Sequence, residues 1–89
     1  MLSRDDIENT LRAELEIAQT RRDAARESFR HVSDEIPSGL PRPDGVFRIQ
    51  KAGEEVRAAN EAFWNALSRF NGFVLKGIVP EDLQQFDDL

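Results

Sequence analysis

From Leu11 onward, apolar residues recur at alternating steps of four and three: Leu11, Leu15, Ala18, Ala25, Phe29, Val32 and Ile36. Arg22 stands where the series asks for one more. With Ile7 included, these positions fall within an arc of roughly 100° on a helix, the narrow stripe of a coiled-coil seam. Ile17 and Ala24 lie on the far side. The start of this helix is well marked. Ser3 suits the N-cap and Asp6 closes an approximate capping box, while Leu2 and Ile7 hold the two positions of a hydrophobic staple. Asp5 and Asp6 add negative charge where the helix dipole favours it. The residue before Pro37 is pushed out of the α region, so the first helix is predicted over about residues 4–35.

Three prolines and two glycines between Pro37 and Gly45 mark a turn over residues 36–44. A connection this short makes the flanking helices antiparallel neighbours. Asp44 is the expected cap of the second helix, with Ser38 or an earlier start near Arg42 as alternatives. That helix is predicted over about residues 45–76, ending at Gly77 in the C′ position. Its seam is the cleaner of the two. Ile49, Val56, Phe63 and Phe70 repeat every seven residues, as do Ala52, Ala59, Ala66 and Phe73. Gly53 and Gly72 weaken it by roughly 1 kcal/mol each against alanine, and Gly72 is an alternative stop. In the tail, residues 77–89, Pro80 opens a short amphipathic helix carrying Leu83, Phe86 and Leu89 on one side. About ten residues do not hold a helix alone in water, so this segment is expected to dock or to be disordered.

Folding the hairpin about residue 40 sets Ala18 against Phe63, Leu15 against Ala66, Leu11 near Phe70 and Ala25 near Val56. Large meets small at successive levels, the condition for close packing without voids. On this phase, Phe63→Ala is expected to cost ~3–5 kcal/mol as a buried large-to-small change. Arg22 would lie near Ala59 and Asn60, reach outward along the seam and fix the register.

The second helix carries more apolar surface than the first can hide. Phe73, Ala66, Phe70, Phe63, Val74, Leu67, Trp64 and Leu75 spread over an arc approaching ~180°, with Ile78 and Val79 just beyond. The expectation is that the tail folds over one flank and that a second hairpin packs as well, giving a four-helix bundle from two chains. The interface would be carried by Phe63, Trp64, Leu67, Phe70, Phe73 and Val74, continued by Leu75 and Ile78. Trp64, at the rim, is the residue type that most often anchors such surfaces.

Composition narrows the function classes. The 89 residues make one small domain, 39% apolar and 33% charged, too periodic for a disordered chain. Chains of this size often recruit disulfides, metals or oligomerisation. With no cysteine and one histidine, association is the remaining route. The net charge of −5 argues against nucleic acid as a partner, and Glu81, Asp82, Asp87 and Asp88 concentrate the acidity in the tail. No apolar run approaches the ~20 residues of a membrane span, so no membrane partner and a cytoplasmic location are expected.

Chemistry-bearing clusters are sparse. His31 has Glu27 and Glu35 one turn to either side, but Ser28 occupies the place a metal-binding Glu-x-x-His pair needs. Arg22, Arg26 and Arg30 form a row that interspersed Glu16, Asp23 and Glu27 turn into a salt-bridged face. Glu54, Glu55 and Glu61 are expected on the charged side of the second helix. No nucleophile–base–acid set can be assembled, so no enzymatic activity, cofactor or metal is expected. The expected protein is an all-α helical hairpin, self-associating as a homodimer and open to a further protein partner. The competing reading is a regulatory adaptor whose tail, through Leu83, Phe86 and Leu89, docks on another protein.

Overall fold

A computed structural model describes residues 2–35 and 43–84. Two helices, α1 (Arg4–Glu35) and α2 (Pro43–Lys76), lie against each other, followed by a single 3-10 turn at Glu81–Leu83. The expected turn falls largely outside the described residues, as do Ile36, Phe86 and Leu89.

The local signals around α1 act as the sequence implies. The Ser3 amide donates to the Asp6 carboxylate at 3.1 Å, and the Asp6 amide donates to the Ser3 hydroxyl at 3.1 Å. Two otherwise orphaned donors are thereby satisfied reciprocally. Leu2 packs beside Ile7, completing the staple. The start of α2 differs from the expectation. Pro43 takes the first helical position, where its missing N–H costs no hydrogen bond, so Asp44 lies within the helix and is not its cap. Gly72 does not stop α2. Gly77 does, with φ 71°, a conformation that costs a residue without Cβ little. Its amide and that of Ile78 donate to the carbonyls of Phe73 and Gly72.

The seam is in the expected phase. Leu11, Ala18 and Ala25 of α1 and Ala59, Ala66 and Phe73 of α2 are buried, together with Ile7. Cross-helix contacts of Arg12 with Phe70, Glu14 with Arg69, and Phe29 with Gly53 set the register close to the expected one, its pivot displaced slightly toward the C-terminus. Phe63 and Phe70 are only half-buried, because a hairpin of two helices covers one side of each ring. Among the described residues, the seven that are buried make a thin core for a rod 62 Å long and 24 by 17 Å across.

The expected C-terminal helix is absent from the described residues. Only the 3-10 turn forms, and Gln84 after it is extended. Val79 and Leu83 nevertheless pack on the cluster of Ile7, Leu11 and Phe73. The tail thus folds back over one flank of the hairpin.

Candidate interaction surface

One guanidinium ties this flank together. Arg69 Nε donates to Glu14 Oε1 at 2.6 Å and Nη2 to Oε2 at 3.3 Å, while Nη1 and Nη2 donate to the two Asp82 oxygens at 2.8 and 3.0 Å. Both helices and the tail meet on a single planar fork. The hydrogen bonds that Arg69 donates to Asp82 raise the Arg69 pKa, and Arg69 in turn holds the Asp82 carboxyl below the usual range. The sign follows from linkage. A carboxyl whose pKa is depressed on folding contributes stability above its unfolded value, and that contribution disappears as the pH falls through the folded value. Asp82→Asn is therefore expected to destabilise the protein in urea titrations at neutral pH and to have no effect below the ordinary carboxylate range. A variant effect that persists undiminished in acid would rule out the ionic hold.

On the opposite flank, two arginines of α1 lie over aromatic rings of α2. Arg22 sits 3.8 Å above the Phe63 ring centroid and Arg12 5.8 Å above that of Phe70. Arg22 does not reach freely outward, as the seam position suggested; it lies flat on Phe63, with Asp23 at 3.9 Å and its Nε buried without a hydrogen bond. Cation–π attraction rewards that geometry. Arg26 donates to Asn60 at 3.4 Å on the same face. Glu55 turns across the hairpin to accept from Arg21 at 2.9 and 3.1 Å, instead of joining Glu54 on the charged side of α2. His31 is exposed, with Nε2 3.2 Å from Glu27. Among the described residues no three His, Asp or Glu side chains converge on a metal-sized site.

The expected interface residues divide into three groups. Phe73 is 2% exposed, held in the chain's own core, and so is not available to a partner. Phe63, Leu67 and Phe70 are half-buried, with Arg22 over the Phe63 ring and Arg12 over that of Phe70. Trp64, Val74, Leu75 and Ile78 are exposed, Trp64 at 61% and Leu75 at 76%. Phe63 and Trp64 meet edge to face at 5.6 Å, so the indole stands on a fixed base. Leu83, expected in a docking tail, is turned inward against Ile7, Leu11 and Phe73.

This side of α2 has an order that the width of the apolar arc conceals. Asn60, Trp64, Leu67, Asn71 and Val74 follow steps of four and three, each one residue after the seam positions Ala59, Phe63, Ala66, Phe70 and Phe73. One residue turns a helix by ~100°, so α2 carries a second seam at about a right angle to the first. Asn60 and Asn71 belong to it and were not singled out by hydrophobicity; the shifted repeat is the signal that finds them. Ile78 extends the row just past the helix end. Beside it an open groove of about 600 Å³ runs between α2 and the returning tail, lined by Ser68, Gly72, Leu75, Ile78 and Pro80 among others. A Cβ added at Gly72 would meet nothing within 4 Å, so the groove floor is unfilled.

Other exposed apolar residues form no such row. Ile17 stands above a shallow hollow on the outer face of α1, and Val46 and Phe47 lie near the turn end. No described helix is long and apolar enough to cross a membrane. No protein-family model, curated protein or solved structure matches this chain.

Proposed function

We propose that this chain is a non-enzymatic self-association module, working through the outer face of the C-terminal half of α2. The observation that carries the reading is the exposed apolar surface of Trp64, Val74, Leu75 and Ile78, left uncovered after the tail has taken the other flank. Scale supports it. The accessible surface is 6652 Å². A compact monomer of 10.1 kDa exposes about 5,300 Å². The excess of roughly 1,300 Å² is of the order that one partner contributes to a stable interface, about 800 Å² or more. The radius of gyration, 18.6 Å, likewise exceeds the ~12 Å of a compact chain of this length. A rod two helices thick has no second layer to bury its outer apolar face, and another chain supplies one.

Light scattering across a concentration series tests this. The expected mass is twice 10.1 kDa at micromolar concentration and above. Trp64 is the only tryptophan, so its emission should shift to the blue as the dimer forms. A monomer mass throughout, with emission unchanged on concentration, removes the proposal.

A further inference from the structure

We infer that the row from Asn60 to Val74 is a seam for a second copy of this chain, laid antiparallel along α2 about a twofold axis at the level of Arg69. This rests on the self-association proposed above and specifies its geometry.

Three features lead to that arrangement. The first is where the apolar row begins and ends. Continued toward the N-terminus of α2, the same four–three positions hold Arg57, Gly53 and Gln50. A parallel pair would run its seam into those residues and set Arg57 against its own copy. An antiparallel pair centred on Arg69 overlaps only the stretch from Asn60 to Ile78, and there the layers become Trp64 with Val74, Leu67 with Asn71, and Asn60 with Ile78 of the other chain. Bulky meets small in the first of these, as it does in the intramolecular seam.

Charge is the second feature. In the antiparallel pair Arg57 lies just past the carboxyl end of the other copy's α2, where the helix dipole favours a cation. The parallel pair brings two such arginines together instead. The third is Asn71. The two copies of this amide fall on either side of the twofold axis, about 6 Å apart along the helices at 1.5 Å per residue, close enough for one to bond the other. A lone polar residue in a seam fixes alignment at some cost in stability, which is the use an Asn has in coiled coils. The groove at Ser68, Gly72 and Leu75 borders the same row, so the indole of the other copy's Trp64 has an unfilled floor beside its path.

The geometry also accounts for α1. Its side chains on this face are Glu8, Arg12, Gln19, Asp23 and Arg26, with no apolar second row. The two α2 helices therefore form the apolar contact and the α1 helices flank it.

The chain has no cysteine, so single thiols can be introduced without background. Ser68 lies near the proposed axis and Arg57 far from it, and both are exposed. Ser68→Cys is expected to be captured as a covalent dimer by a bis-maleimide with a spacer of about 10 Å, near the usual separation of packed helices. Arg57→Cys is expected to stay uncoupled, since the two sites are separated by about 36 Å along the helices. Cross-linking of both variants would mean a parallel pair and overturn the inference. Cross-linking of neither, or of Arg57→Cys alone, with a dimer mass by light scattering, would overturn it too while leaving self-association standing. A monomer mass for the unmodified protein would remove both.

Discussion

Phe73→Ala should lower the unfolding free energy by about 3–5 kcal/mol, the usual cost of truncating a buried phenylalanine. Phe73 is 2% exposed and sits where three segments of the chain meet: Ile7 and Leu11 of α1, and Val79 and Leu83 of the tail. Arg4 also lies 5.0 Å over its ring. The loss is large against the whole, since a domain of 89 residues holds about 4–13 kcal/mol. A urea titration followed by circular dichroism would show the midpoint falling steeply or the helical signal already reduced in buffer. Phe63→Ala, expected from the seam pattern to cost as much, should cost less, because that ring is half-buried under Arg22. Equal losses for the two variants would mean that Phe63 is covered in solution by something outside the single hairpin.

Deleting residues 80–89 is expected to cost about 1–2 kcal/mol, part of the ~1.5–3 kcal/mol that full burial of a leucine provides. Leu83 leaves the cluster, Phe73 and Leu11 lose cover, and Arg69 keeps Glu14 but loses Asp82. The same titration reads the change. A truncated protein as stable as the full chain would show that the tail does not clasp the hairpin, and would revive its role as a ligand for another protein.

The elements of the hairpin were legible because their signals are local. Ser3, Asp6, Leu2 and Ile7 lie within six positions of one another, and the seam repeats at a fixed step, so the order of residues is also their order in space. Gly77 likewise carries its own conformational reason for ending α2. What was missed depends on long-range meetings. Arg69 binds Glu14, 55 positions away, and Asp82, 13 away, and no spacing rule pairs them. Arg22 was legible as an exception in the seam, but its seat on Phe63 depends on the neighbouring helix. The tail's leucine and phenylalanine spacing suggested a helix; the contact with Phe73 needs only Leu83, and one 3-10 turn delivers it. The wide apolar arc of α2 was visible as excess surface, yet its composition as a second ordered row required knowing which flank the tail occupies. That Phe73 would be held in the chain's own core was hidden for the same reason.

The cover is uneven along the rod. At the end where the chain's N-terminal cap and returning tail meet, Phe73 has apolar neighbours on three sides and a salt-bridged arginine beside it. Toward the other end, Phe29 is 36% exposed, Val46 43% and Phe47 58%, and Gly53 contributes no side chain to the contact. Helices held by so little separate where the grip is weakest, so the hairpin should open like a peg, the stretch around Phe29, Phe47 and Gly53 parting first while the clasped end keeps its grip.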